Sequence, residues 1–352
     1  MDVPWSKPDI GIEERLAALR VLDSGWVSVG KETREFEREL TSYIGCEDAV
    51  VFNSGTSALV AALLAHEAHN WCRVKHLPSY TYPATLNAVF AAGGGQYGDF
   101  NITDIQYMNI SSLTVNAKAP KKEDFKPKDI YIPVSFAGLP LDRNEWGDYS
   151  QSMVEDAAES FGAQSRGLKT GNQGWDAVLS FHAAKLITMV EGGAVATSNA
   201  ETGEALREIR NQGESRTDKG VFHRRGLNLK PSDIHSAIGR AQLRKVDEYL
   251  DRRKRVARIY FETLGSSVGY TYLPKYVDMP GNMMFPVFVD EPAKLAAKLK
   301  EGGVDTRLGW KPLADDYAAN YVHTHIICLP MFNTMRDEEA AYVSEKVLEA
   351  MG

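Results

Sequence analysis

The chain is poor in cysteine, in long apolar runs and in positive charge. Its three cysteines, Cys46, Cys72 and Cys328, stand far apart in 352 residues. They have no paired or metal-ligand spacing, which excludes a disulfide framework or a thiolate zinc site and leaves reduced thiols in a cytoplasmic protein as the expectation. No apolar stretch approaches the roughly 18 residues that a membrane span requires. The opening Met-Asp-Val-Pro-Trp-Ser has neither the basic nor the apolar segment of a secretion signal. With 40 basic against 47 acidic side chains the net charge is -7, the wrong sign for a nucleic-acid partner held by counterion release. The 8 histidines form no His-x-x-x-His pair and no acid cluster that would hold a metal. Gly93-Gly94-Gly95 lacks the Gly-x-Gly-x-x-Gly pattern of a dinucleotide loop and reads as a helix end and turn.

What is present is ordinary for a large enzyme: 43% hydrophobic and 25% charged residues, in a length that allows two or three domain-sized units. Residues 12–45 read as two helices around Ser24-Gly25-Trp26. Strands are then expected near 49–52, 73–77, 96–100, 129–134, 152–155, 176–180 and 193–197, with helices over 56–69, 83–92 and 201–212. Such alternation predicts an α/β fold, a mostly parallel sheet covered by helices on both faces. Apolar spacing over 232–264 predicts one long helix, bent or straight, opening at Pro231-Ser232-Asp233. Its Asp251-Arg252-Arg253-Lys254-Arg255 run reads as a solvated face, and the lysine-rich stretch 118–128 as an exposed loop. The long helix would lead into a small α/β unit with a strand at 283–289 and helices at 291–301 and 336–350, dividing the chain into 1–230 and 231–352.

Three motifs carry chemistry. Lys185 ends Ser180-Phe181-His182-Ala183-Ala184-Lys185, between the apolar strands Ala177-Val178-Leu179 and Gly193-Ala194-Val195-Ala196-Thr197. An ammonium so placed is costly unless it snorkels to water, is paired, or is used covalently. Ala49-Val50-Val51-Phe52-Asn53-Ser54-Gly55-Thr56-Ser57 is a strand, a Gly-containing turn and the start of an apolar helix. It fits a phosphate cradle at a positive helix end, and equally an ordinary N-capped turn. Asp156 follows the short apolar Met153-Val154, at a strand end where open α/β sheets gather ligands, although a carboxylate there can also simply favour a helix dipole. Together, in this order, the three describe a site for pyridoxal 5′-phosphate (PLP): a lysine for the Schiff base, an acid for the pyridine nitrogen, and a helix end for the phosphate.

The chain resembles the DegT/StrS-type sugar-nucleotide aminotransferases nearly end to end. The resemblance runs through Lys7-Pro8-Asp9-Ile10-Gly11, Ser24-Gly25-Trp26-Val27-Ser28-Val29-Gly30, Asn53-Ser54-Gly55-Thr56-Ser57, and Pro78-Ser79-Tyr80-Thr81-Tyr82-Pro83-Ala84-Thr85. It continues in Glu155-Asp156-Ala157-Ala158-Glu159, Ser180 to Lys185, Gly226-Leu227-Asn228-Leu229-Lys230-Pro231, and Ala237-Ile238-Gly239-Arg240. It implies fold type I of the PLP enzymes and an amino transfer from an amino acid, glutamate by analogy, to a keto group of a nucleotide-linked sugar. By the same resemblance Lys185 would hold PLP, Asp156 its pyridine nitrogen, and Tyr82 its ring face. Gly55, Thr56, Ser57 and Ser180 would hold its phosphate. Asn228 would reach that phosphate from the other subunit of a homodimer with shared active sites.

Trp26, Arg225, Lys230 and Arg307 stand as candidate substrate contacts. Glu159 replaces the Gln or His frequent near the cofactor's phenolic oxygen, where a carboxylate must be protonated, bonded to a donor or turned away. The segment 306–314 lacks the His-Tyr before Pro and the His after Leu of many relatives, and the link from Pro140 to Asp156 is short, about one helical turn. The altered segment supports an alternative, another PLP reaction on a non-sugar substrate such as decarboxylation or dehydration, and a PLP-binding regulatory or structural homodimer is a further one.

Overall fold

The computed structural model describes residues 1–67, 75–93, 105–108, 116–270 and 283–352. Helices α1 (Ile12–Ser24) and α2 (Lys31–Ile44) flank the predicted turn, where Gly25 closes α1 at φ 71°, a left-handed cap that suits glycine. There follow β1 (Asp48–Phe52), α3 (Gly55–Glu67), β2 (Lys75–Pro78), α4 (Pro83–Gly93), β3 (Ile105–Met108) and β4 (Ile130–Tyr131). Then come the single-turn helix α5 (Arg143–Trp146), β5 (Val154–Asp156), a small hairpin of β6 (Gln164–Ser165) and β7 (Leu168–Lys169), β8 (Asp176–Ser180), β9 (Gly193–Thr197) and α6 (Ala200–Arg210). The strand expected at 96–100, Cys72, and Gly94 and Gly95 lie outside the described residues.

Hydrogen-bonded pairs order one sheet as β1-β9-β8-β5, and parallel bridges Tyr131↔Met153 and Val134↔Asp156 carry it on through β4 to β2 and β3. Among the described strands of this sheet only β9 opposes its neighbours, so the mostly parallel α/β sheet expected from the alternation is what forms. The reason lies in the strands' composition. Ala49-Val50-Val51-Phe52 and Ala177-Val178-Leu179 are buried along their whole length and so need cover on both faces. Leu59, Leu63 and Val89 of α3 and α4 cover one face; Phe36 and Leu40 of α2, with Phe181 and Leu250, cover the other.

The long helix predicted over 232–264 is instead two, α7 (Asp233–Leu243) and α8 (Val246–Leu264), broken at Arg244 and Lys245. The break lets one amphipathic stretch serve two cores. Ala237 and Ala241 of α7 pack on Ala17 and Val21 of α1, while Val256, Tyr260 and Leu264 of α8 enter the C-terminal core. The solvated-face reading of residues 251–255 also needs correction, because Arg253 is only 2% exposed. Its spacing from Leu250, Val256 and Ala257 puts it on the core side of α8.

The C-terminal unit comprises β10 (Gly269–Tyr270), β11 (Phe285–Phe288), α9 (Pro292–Glu301), β12 (Arg307–Leu308), α10 (Tyr317–His325), β13 (Ile326–Leu329) and α11 (Asp337–Met351). Its sheet, ordered β10-β11-β13-β12, is antiparallel throughout. Helices α8, α9 and α11 pack their apolar stripes on it through Val256, Leu295, Leu299, Val343 and Val347. Val3 joins that same core and bridges to Val304, so the chain's first residues reach back across the molecule.

Candidate active site

The carboxyl ends of β1, β5 and β8 open on one cleft of about 410 Å³, where ligands of open α/β sheets are expected. Gly55, Thr56, Tyr82, Asp156, Glu159, Ser180, Lys185 and Arg307 all line it. At the β1–α3 turn, Ser54 caps the helix: its Oγ accepts from Ser57 N at 3.0 Å and its carbonyl from Ala58 N at 3.1 Å. The turn is packed tightly from behind. A Cβ on Gly193 would stand 2.6 Å from Gly55 N, and a Cβ on Gly55 would stand 3.0 Å from Ser180 Cβ.

Asp156 is 5% exposed. Its Oδ2 accepts from Thr85 Oγ1 at 2.7 Å and its Oδ1 from Ala158 N at 3.2 Å. Burial raises its pKa, opposed by these two bonds and by the charge of Lys185. Next to it Glu155 faces away from the cleft, fully buried, taking bonds from Ser135 Oγ and, at 2.6 Å, from Trp175 Nε1; burial pushes its pKa up to about 7.

Lys185 stands in the turn after β8, its Nζ 3.6 Å from Glu159 Oε1 and 3.5 Å from Met283 Sδ. The other oxygen of Glu159 accepts from Ala137 N at 2.9 Å. The carboxylate that departs from the family pattern is therefore bonded to a donor. Ala137 supplies it from a left-handed backbone, φ 55°, a conformation costly for alanine that clusters at functional sites. The His182 carbonyl accepts from Lys185 N at 2.9 Å, and its half-exposed ring lies 3.6 Å from Glu191.

Five expected contacts do not line the cleft. Trp26 is 63% exposed, with Nε1 on the Val29 carbonyl at 3.2 Å. Arg225 and Asn228 are exposed and do not line the cleft, and Lys230 donates to Asn211 Oδ1 at 3.1 Å. Ser57 sits behind the turn, its hydroxyl accepting from Ser54 Oγ at 2.9 Å. A larger cavity, about 790 Å³, lies beside Lys230, but its Arg207 and Arg210 are tied to Asp48 and Glu37.

Other site residues had escaped the sequence reading. Thr85 sits three residues after Tyr82 in the quoted Pro78 to Thr85 segment, where a helix-start hydroxyl was the available signal. Trp5, Met283 and Trp310 also line the cleft; they come from distant segments with no motif. Trp310 meets Tyr82 and Phe136 edge-on, each at 5.7 Å, and lies tilted against Tyr80 at 5.7 Å.

These residues fit PLP. Asp156 is a buried carboxylate with one hydroxyl and one amide for company, so a protonated ring nitrogen would supply the missing cation. The turn at Gly55 offers a helix N-terminus to a phosphate. Lys185 is the amine within the same cleft.

Comparison with known proteins agrees with this geometry. The chain matches the DegT/DnrJ/EryC1/StrS aminotransferase family over residues 8–348. An uncharacterized protein of Methanocaldococcus jannaschii is 28% identical over 390 residues, covering 98% of this chain and 96% of that protein. Among solved structures, PseC of Helicobacter pylori, an aminotransferase involved in the biosynthesis of pseudoaminic acid, has a TM-score of 0.90 at 23% identity, over 100% of this chain and 99% of PseC. DesV of S. venezuelae has a TM-score of 0.85 at 26% identity, over 96% of this chain and 94% of DesV. A 3-amino-5-hydroxybenzoic acid synthase reaches 0.86 at 20% identity, over 99% of both chains. With a match that runs nearly from end to end and a cleft whose donors suit the cofactor, this chain belongs to the DegT/DnrJ/EryC1/StrS family of PLP-dependent aminotransferases.

Proposed function

We propose that this aminotransferase moves an amino group from an amino acid, glutamate in the first instance, to a keto group of a nucleotide-linked sugar. The observation that carries the reading is the grouping of Asp156, Lys185 and the Gly55 turn around one cleft in a chain of this family. PseC, an aminotransferase involved in the biosynthesis of pseudoaminic acid, supports a sugar acceptor by likeness of fold. PLP, when bound, supplies the electron sink for the bond broken at the donor's α-carbon.

The chain's own residues do the rest. Asp156, held by Thr85 and Ala158, keeps a proton on the ring nitrogen by placing a buried negative charge beside it. Lys185 Nζ removes and returns the proton of the substrate carbon, the role of an amine freed within reach of it. Gly55, Thr56 and Ser180 hold the phosphate, with Ser57 bracing the turn through Ser54. Tyr82, 51% exposed and steadied by Trp310, would cover the ring face. Glu159, bonded to Ala137 N, would face the cofactor's phenolic oxygen.

Asn228 belongs to the second subunit's site in this reading, with Trp26, Arg225 and Lys230 as contacts for a substrate bound between subunits. Exposed apolar side chains on these segments support it: Trp26 at 63%, Phe222 at 62% and Leu227 at 45% exposure are of the kind an interface covers. Arg307 is the anion contact from within the chain, its guanidinium 5.0 Å over the Trp5 ring. The test is a two-stage assay. The PLP-loaded enzyme is mixed with L-glutamate and its visible absorption followed, and then keto-sugar nucleotides are screened for restoring it. Restoration by non-sugar ketones alone would overturn the acceptor.

A further inference from the structure

Arg253 is a cation that the reaction does not use, buried at 2% exposure inside the C-terminal core. Burial lowers its pKa to about 10, and a charge kept in such a place needs hydrogen bonds to hold it. Its bonds have a direction. Arg253 Nε donates to Asn333 Oδ1 at 2.7 Å, and Nη1 donates to the Met283 carbonyl at 2.6 Å.

Both acceptors reach on to the lysine. Asn333 Nδ2 donates to the carbonyl of Leu186, the residue after Lys185, at 2.7 Å. Met283 Sδ accepts from Lys185 Nζ at 3.5 Å. With an obligate donor on one side and a backbone carbonyl on the other, the Asn333 amide can face only one way. Ahead of the lysine the loop holds itself, with Lys185 N donating to the His182 carbonyl at 2.9 Å, and at its far end Met189 N donates to the Phe181 carbonyl at 2.9 Å and Thr188 Oγ1 to the same carbonyl at 3.2 Å. Asn333 is the side chain that grips it next to the lysine, and the thioether steadies the amine as a weak acceptor that cannot take its proton.

We propose that Arg253 is a positioning residue for Lys185: by clamping Asn333 and Met283 it fixes, from α8, both the backbone after the lysine and the amine itself. The inference rests on Lys185 being the cofactor lysine. It predicts that loosening either arm misplaces the amine by a fraction of an ångström, enough to slow proton transfer without removing any group that touches substrate.

The test uses the PLP-loaded enzyme and four variants: Arg253→Met, Arg253→Lys, Asn333→Ala and, as a control on the solvent side of the same helix, Arg255→Met. Two quantities are read: the midpoint of the pH titration of the lysine-bound cofactor's visible absorption, and the single-turnover rate of cofactor amination by L-glutamate. Asn333→Ala keeps the arginine in the core and breaks only the arm to Leu186, so it answers even if Arg253→Met does not fold. Asn333→Ala and Arg253→Met are expected to shift the midpoint and slow the rate on the order of tenfold. Arg253→Lys, which keeps the charge but loses the fork, should fall between, and Arg255→Met should match wild type.

The Asn333→Ala, Arg253→Met double variant should be no slower than the worse single one, since both act through one chain of bonds. A lower melting temperature with midpoint and rate within twofold of wild type would reduce Arg253 to a structural core residue and overturn the proposal. If borohydride trapping on wild type labels a lysine other than Lys185, the underlying assignment fails as well, which separates the two failures.

Discussion

A carboxyl group as deeply buried as Asp156 stays charged only with a cation for company, and Lys185 alone does not offset the burial. Asp156→Asn is therefore expected to lower turnover on the order of 10²- to 10³-fold, the scale of one lost preorganised charge. PLP occupancy should fall far less, because the phosphate and lysine contacts remain; kcat and cofactor content measured side by side check this. Glu155, one residue earlier, makes a different prediction. Its pKa rises from 4.5 to about 7 in the fold, so the native state binds more protons than the unfolded chain between those values. Its contribution is thus fully present below pH 4.5 and lost as pH rises to about 7, by on the order of 3 kcal/mol. Glu155→Gln should flatten that part of the curve of melting temperature against pH. Gln can still accept from Trp175 while the Ser135 hydroxyl turns to accept in its place. An unchanged slope would show that the acid is charged in the fold.

At the scale of elements, the cleft is made by strand ends, and the strands were legible because their apolar residues come in short runs bounded by Gly and polar turns. The Gly55 turn depends on a second strand that its own motif does not reveal. Gly193 of β9 leaves no room for a side chain against Gly55, so Gly193→Ala should weaken PLP binding, read as a raised Kd in cofactor titration, with Lys185 and Asp156 untouched. What escaped the sequence reading did so for physical reasons. The break at Arg244 and Lys245 sits inside an unbroken apolar period, because both helices keep the same stripe while packing on different cores. Arg253 hid within a run of charges, although its spacing already placed it with Leu250 and Val256. Lys185, Asp156 and the turn were visible as local motifs. Trp5 and Met283 enter the site through tertiary contacts that no local pattern records, and Thr85 had only its helix-start hydroxyl as a signal.

For the whole molecule, the placement of Asn228 away from the cleft of its own chain sets the account's most demanding expectation. If each site takes Lys185 from one subunit and Asn228 from the other, mixed Lys185→Ala and Asn228→Asp subunits should regain about a quarter of wild-type activity after random exchange into symmetric dimers. Asn228→Asp alone must first prove severely impaired, as a carboxylate beside a phosphate implies. No recovery after demonstrated exchange would return Asn228 to its own chain or remove it from the site. Beneath this lies the claim on which everything else depends, that PLP is held by Lys185. Borohydride reduction of the PLP-loaded wild-type enzyme, followed by digestion and mass mapping, tests it directly. The account predicts one pyridoxyl-bearing peptide, with the mass shift on Lys185; a label on any other lysine, or none on a protein shown to carry PLP, would contradict it.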